Sequence, residues 1–398
     1  MSSHAFATDG LEYCPFMPVF GAPQVMFERG SGTELWDTSG KRYLDFLCGI
    51  AVTSLGHANP AVAEALCAQA NALLHVSNFF ANPVATRAAV QLCTLLGEAT
   101  GAEGQVFFCN SGAEANEAAL KLARKFGGRG RHAVISAYGS FHGRTLATLA
   151  ATGQPAKHEP FQPMPDGFRH VPFNDLGSLE AAIDPTVSAV LLEPVQGEGG
   201  VVPADAQYLR DVRALCDERG LLLIMDEVQT GFARTGEWFG FQHAGVVPDV
   251  VTLAKAMGNG FPVGAVWAKR EVAGVFQPGD HGSTYSGTAI ATAAVSAVID
   301  EMRRIDAPRL ARERGAELSA ALRGLPGVVE VRGAGLLLAV ELDGIDAKTV
   351  YLAALERGLV TNAVSATALR LAPPLTVSSA EIGEAVEILR TVLQEVAA

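Results

Sequence analysis

The chain has 398 residues, of which 49% are hydrophobic and 18% charged. That balance suits two or three domains with a large packed core and excludes a disordered chain. A net charge of -12 without any basic block argues against a nucleic-acid or anionic-membrane partner. The six cysteines (14, 48, 67, 93, 109 and 216) are widely spaced and form no C-x-x-C pair. They fit core thiols in a reducing compartment better than a disulfide frame or a zinc site.

The opening "MSSHAFATDGLEYCPF" has no charged region followed by an apolar one, so no signal peptide is expected. No apolar run reaches transmembrane length, and the expected location is cytoplasmic. Residues 24–49 alternate short β-like runs with turn signals and predict a small antiparallel meander. Beyond "GHANP" the texture changes. Apolar runs at 105–110, 132–138, 188–194, 221–227 and 249–255 alternate with helical patterns. Such short, continuous runs suit strands buried on both faces of a mostly parallel sheet. The stretch 204–220 has helical spacing and stops at Gly220. Residues 289–324 are strongly helical, 327–342 predict two strands, and 379–396 a closing helix. The fold class is α/β. A large domain is expected over 52–288, with a smaller α+β domain formed by both termini, 1–51 and 289–398.

Polar residues gather where the central strands end: Asn110 and Ser111, Tyr138 and Phe141, Glu193, Asp226 and Glu227, and Lys255. Ligands of open α/β sheets bind at that edge. Ser111 and Glu114 have the spacing of a capping box, which by itself describes a well-capped helix. Gly112 adds a second meaning, because backbone N–H groups at a helix start can receive a phosphate. Asp226 follows five apolar residues and needs a partner, either an arginine, a backbone cap or a cation on a ligand. Lys255 is one of only seven lysines and stands in an apolar run, "TLAKAMGNGFPVGA". It could extend to water, or burial could lower its pKa and free a nucleophilic amine. Lysine, carboxylate and phosphate cradle together match what pyridoxal 5'-phosphate (PLP) requires. The G-x-G-x-x-x-G spacing after Lys255 does not fit a dinucleotide loop. His57, His75, His142 and His243 are not at metal-ligand spacings.

The segments "NSGAEANEAALKLAR", "FHGRT", "EPVQGEGGV", "DEVQTGFARTG" and "TLAKAMGNGFPVGA" make the chain similar to class III (ω-amino) PLP-dependent aminotransferases over nearly its whole length. The resemblance implies the fold type I of PLP enzymes, a mostly parallel sheet with helices on both faces, and a homodimer. It implies that Lys255 carries PLP as a Schiff base and shuttles protons, and that Asp226 pairs with the ring nitrogen. Ser111, Gly112 and Ala113 would hold the phosphate. Thr284 would reach the phosphate in the partner subunit's site, beside Ser283, which would contact substrate. Phe141 and Val228 would sandwich the ring, Gln229 would bond its hydroxyl, and Glu227 would belong to the same cofactor-binding run. Arg144 would clamp a substrate carboxylate. Glu198 would occupy Arg370 while an ω-amine is bound and release it for 2-oxoglutarate. The implied reaction moves the ω-amine of N-acetylornithine to 2-oxoglutarate. Ornithine, N-succinyl-diaminopimelate, 4-aminobutyrate and acyl-lysine are alternative donors, and a PLP aminomutase is a more distant reading. The chain departs from the family with "YSGTAIA" at 285–291, where "YGGNPLA" is common, and with Ala81, where an aromatic often stands.

Overall fold

The computed structural model describes residues 16–21 and 23–396. The opening stretch read as lacking a signal peptide lies largely outside them, as does Cys14. No helix is long and apolar enough to cross a membrane among the described residues.

Seven strands build the main sheet. They are β1 (Gly104–Cys109), β2 (Ala133–Ala137), β3 (Phe168–Val171), β4 (Val187–Leu192), β5 (Leu222–Asp226), β6 (Val250–Leu253) and β7 (Gly264–Lys269). Their order is β1-β7-β6-β5-β4-β2-β3. All run parallel except β7, which is antiparallel to both β6 and β1. Every residue of β2, β4, β5 and β6 is buried, the pattern expected of strands covered on both faces. The five apolar runs of the sequence become β1, β2, β4, β5 and β6. Strands β3 and β7 were not among the expected ones. β3 reads Phe-Arg-His-Val, too polar to stand out, and β7 begins inside the glycine-rich run after Lys255.

Three helices matter for the site. Helix α1 (Gly112–Gly127) follows β1 directly. Helix α2 (Ala206–Arg219) leads into β5 and ends at Gly220, whose φ of 60° satisfies the left-handed cap. Helix α3 (Ala289–Arg304) packs over the helices Pro60–Ala72 and Pro83–Thr100.

The two ends of the chain meet in the remaining sheets. The meander Phe27–Ser31, Glu34–Asp37, Arg42–Asp45 forms as expected and gains Leu359–Val360 as a parallel fourth strand. The last third contributes an antiparallel sheet ordered Val328–Ala334, Leu337–Leu342, Ala368–Leu371, Asn362–Ala363. The closing helix spans Ser379–Val396. Arg234, fully buried, ties these parts together: Nη1 donates to the carbonyls of Leu336 (3.0 Å) and Pro373 (2.5 Å), and Nη2 to Ser54 Oγ (2.7 Å). Cys48, Cys109 and Cys216 are buried as core thiols, whereas Cys67 is exposed on its helix.

At the sheet edge, Gly264 pairs with Cys109, and a Cβ on it would lie 2.4 Å from the Ser111 carbonyl oxygen. Only glycine lets β7 start this close to the first turn of α1. Gly264→Ala is expected to lower stability by about 1–3 kcal/mol by overpacking. Gly383→Ala, on the exposed side of the last helix with nothing within 4 Å, is expected to raise it by about 0.4–1 kcal/mol. Urea unfolding of the two variants checks the contrast, and equal effects would refute it.

Candidate active site

The C-terminal ends of β1, β5 and β6 and the start of β7 surround one cavity of about 380 Å³. Ser111, Gly112 and Ala113 line one end of it, at the start of α1. Ser111 Oγ accepts from the Glu114 N–H at 3.1 Å, a true N-cap. The Glu114 carboxylate does not close the box on Ser111. It accepts instead from the N–H and side-chain amide of Asn110, both at 2.7 Å. The first-turn N–H groups of Gly112 and Ala113 have no acceptor within the helix, and both residues line the cavity, as an anion cradle would require. Gly112 is required there, since a Cβ would lie 2.8 Å from Val228 Cγ1.

Asp226 ends β5 at 4% exposure. Its Oδ2 accepts from Asn116 Nδ2 and faces His142 Nδ1, both at 2.8 Å, and its Oδ1 accepts from the Val228 N–H at 3.0 Å. Three partners fix the carboxylate in a buried place. Asn116 and His142 are the residues that sequence reasoning left without a role. A signal for Asn116 existed: it is a buried polar residue in a helix whose neighbouring buried positions are mostly alanine. His142 Nε2 is buried without a hydrogen-bond partner among the described residues.

Lys255 adopts a left-handed φ of 46° in a short 3-10 turn after β6. The residue lines the cavity, and its amine makes no hydrogen bond or ion pair among the described residues. Burial lowers its pKa to about 8; Arg370 adds to that effect, and Glu198, Asp226 and Glu193 oppose it. Glu193 also faces the cavity. Burial, then the charge of Asp226, pushes its carboxyl well above the ordinary range. It accepts from the N–H groups of Phe141 (3.1 Å) and Gly197 (3.4 Å) and so positions both loops.

Arg370 lies behind Gln229, fully buried. Nη1 donates to Glu198 Oε1, to Gln229 Oε1 (3.2 Å) and to the Gly197 carbonyl (3.2 Å), and Nε donates to Asn362 Oδ1 (3.2 Å). Nη2 is buried and unpartnered among the described residues. Burial would raise the Glu198 carboxyl, but Arg370 outweighs it and holds the group below the ordinary range. Arg144 stands exposed at the cavity wall, 5.5 Å from the Phe141 ring centre. Val228 and Phe141 both line the cavity.

Besides Arg370, three expected residues do not line the cavity. Glu227 turns away from the cavity, because neighbouring residues at a strand end point to opposite sides. Its carboxylate accepts from Thr230 Oγ1 (2.5 Å) and the N–H groups of Gly240 and Phe241 (both 2.8 Å), and burial pushes it up to about 7. Ser283 reaches the rim, where its Oγ accepts from Asn110 Nδ2 at 3.1 Å. Thr284 is exposed and does not line this chain's own cavity.

The sequence profile described as Aminotransferase class-III matches residues 19–393. The acetylornithine aminotransferase of Caldanaerobacter subterraneus is 46% identical over 389 residues, covering 96% of this chain and 97% of that one. The acetylornithine aminotransferase of Methanothermobacter thermautotrophicus is 45% identical over 383 residues, covering 95% and 96%. Among solved structures, the ornithine aminotransferase of Toxoplasma gondii, seen with partial occupancy of PLP at its active site, superposes with a TM-score of 0.89 at 34% identity. That match covers 95% of this chain and 92% of the other. The N-acetylornithine aminotransferase of Stenotrophomonas maltophilia gives 0.81 at 35% identity, covering 94% and 96%. With its α/β architecture, its strand-end lysine and carboxylate, and these full-length likenesses, the chain belongs to the class III aminotransferases.

Proposed function

We propose that the chain transfers the ω-amine of N-acetylornithine to 2-oxoglutarate, giving N-acetylglutamate 5-semialdehyde and glutamate in arginine biosynthesis, with PLP as cofactor. The observation that carries the reading is the joint placement of an unpaired amine, a triply held carboxylate and an open helix start around one cavity. These residues fit PLP. Gly112 and Ala113 would offer N–H groups to a phosphate, Asp226 is a buried carboxylate placed to face a ring nitrogen, and Lys255 has no competing ion pair among the described residues.

When bound, PLP supplies an electron-accepting ring that delocalises the charge left by a departing proton. Asp226 keeps the ring nitrogen protonated. His142 and Asn116 hold that carboxylate in place, and Phe141 and Val228, which line the cavity, would pack against the ring. Gln229 offers a hydrogen bond to the ring hydroxyl. Lys255 would hold the cofactor, and its amine would carry the proton to and from the substrate carbon. Its depressed pKa leaves part of the amine neutral near pH 8.

The two substrates differ in where they carry charge. An ω-amine donor has no carboxylate beside its reacting carbon, whereas 2-oxoglutarate has one. Arg370 is the planar, bidentate group suited to that carboxylate, and its unpartnered Nη2 supports this role. Glu198 neutralises Arg370 when no carboxylate is present and withdraws when one arrives. Arg144 takes the carboxylate at the substrate's other end.

The same reading includes a homodimer in which Thr284 serves the partner's phosphate, and a cytoplasmic location. Support for the dimer comes from exposed Phe79, Phe80 and Tyr285 near the Ser283 loop, to which Asn78 also bonds at 3.2 Å. Large exposed aromatic side chains in one region mark a surface covered by another molecule.

A donor panel with 2-oxoglutarate tests the substrate. N-acetylornithine is expected to have the highest kcat/KM, and a higher value for ornithine, N-succinyl-diaminopimelate, 4-aminobutyrate or acetyl-lysine would overturn the assignment. Glu198→Ala leaves Arg370 permanently open. The ratio of kcat/KM for N-acetylornithine to that for glutamate is therefore expected to fall by about tenfold or more; an unchanged ratio would sink the switch. In cofactor-free protein, the neutral fraction of Lys255 rises with pH. Trinitrobenzenesulfonate labelling at Lys255, located by peptide mapping, should rise with a midpoint near pH 8. Surface lysines follow a midpoint near ~10.4, and Lys255 titrating with them would contradict the burial effect.

A further inference from the structure

Glu198 sits at the tip of a small hairpin, between the paired segments Val195–Gln196 and Val202–Pro203. That tip rests on one cross-strand row of the C-terminal sheet. Arg332 lies opposite Ala339, and Ala339 lies opposite Arg370. Directly opposed residues of antiparallel strands present their side chains to the same face.

Each member of the row is engaged with the hairpin region. Arg370, at one end, donates to the Gly197 carbonyl at 3.2 Å and to the Glu198 carboxylate. Arg332, at the other end, donates from Nε to the Gly200 carbonyl at 2.9 Å. Ala339, between them, shares a small buried apolar cluster with Val195 and Val201 of the hairpin and with Ala51, Leu337 and Ala372. The tip is therefore gripped on both shoulders, one residue before Glu198 and two after it.

The backbone shows that this grip is needed. Gly200 has a φ of 109° and Val201 a φ of 54°. The second is an unfavourable conformation for a β-branched residue, held only where the surroundings impose it. Arg332 is itself fixed. Its Nη1 donates to Glu341 at 2.8 Å and to Glu330 at 3.1 Å, and Glu341 also accepts from Thr367 Oγ1. Its side chain is only 18% exposed, so the guanidinium is an anchored part of the sheet face and not a free surface charge.

We propose that Arg332 is a positioning residue for donor selection. By holding the Gly200 carbonyl it sets the hairpin tip so that the Glu198 carboxylate meets Arg370. The inference rests on the Glu198–Arg370 reading above and adds the group that sets its balance. Without Arg332 the tip is held on one shoulder only. Glu198 then leaves Arg370 more readily, and substrates with a carboxylate beside the reacting carbon gain over ω-amines.

The test uses the PLP-loaded enzyme in two single-turnover half-reactions, one with N-acetylornithine and one with glutamate, followed by cofactor absorbance. In Arg332→Ala the ratio of the two rate constants per donor concentration is expected to fall by about three- to tenfold. Arg332→Lys, which keeps a donor for the Gly200 carbonyl, is expected to recover most of that loss. Glu198→Ala serves as the reference. A shifted ratio in Glu198→Ala with none in Arg332→Ala overturns the role of Arg332 and leaves the switch intact. No shift in either variant overturns the switch and this inference with it. An equal loss in both half-reactions of Arg332→Ala means mere structural support and also overturns the proposal. Should Arg332→Ala fail to fold, Glu341→Gln loosens the same guanidinium, and a fall of about twofold is expected there; an unmoved ratio in it counts against the proposal.

Discussion

The structure turns on one buried anion. The Asp226 carboxylate stands at the end of a fully buried strand, and an unpaired charge in that position would be prohibitively costly. Its three donors come from different parts of the chain: Asn116 from α1, His142 from the loop after β2, and Val228 from its own turn. To bring them together, β1 with α1, β2 and β5 must take their places in one sheet with their C-terminal ends on the same edge. The fold and the site are in this sense one requirement. The same edge then receives Lys255 from β6 and the glycine start of β7, which lets Ser111 and its helix close up against it.

Around that anion the charges are arranged to be incompletely satisfied. Among the described residues Lys255 lacks a partner and Arg370 keeps a free Nη2, while Glu193 is pushed towards its neutral form by burial and by Asp226. Buried polar groups in a finished core are nearly always paired. An unpaired amine and a carboxyl pushed towards neutrality at one cavity are what a site prepared for a charged cofactor and charged substrates requires. Glu227 makes the contrast. It is equally buried and adjacent to Asp226, yet its carboxylate is fully occupied by backbone amides and a threonine, and it serves to hold a turn.

In the proposed reading, specificity and chemistry come from different parts of the chain. Lys255 and Asp226 belong to the main sheet, whereas Arg370 and Arg332 belong to the antiparallel sheet of the last third. The hairpin bearing Glu198 leaves the end of β4 and lies across that second sheet. On that reading, the contact between the two sheets is where a choice between substrates would be made without disturbing the groups proposed to move protons. Arg234, buried and bonded to the carbonyls of Leu336 and Pro373 and to the Ser54 hydroxyl, ties these parts together.

The apolar runs at 105–110, 132–138, 188–194, 221–227 and 249–255 were enough to place five of the seven strands, because strands buried on both faces must be continuously apolar. The same runs located Asn110, Ser111, Glu193, Asp226 and Lys255 at strand ends, and the motifs connected them to a family. What the sequence could not settle was direction and partnership. Asp226 and Glu227 are neighbours of identical charge, and only the pleat decides that one faces the cavity and the other a turn. The antiparallel β7 hid in a glycine-rich run, since glycine marks close approach without saying to what. Asn116 and His142 are 26 residues apart in the chain, as the bond between Asn116 Nδ2 and the His142 carbonyl records, and local spacing cannot reveal that both meet Asp226. The row Arg332, Ala339, Arg370 exists only through strand register. Periodicity and residue chemistry are local and survive in the sequence. Which side chains share a face depends on pairing between distant segments, and that was decided by the tertiary structure alone.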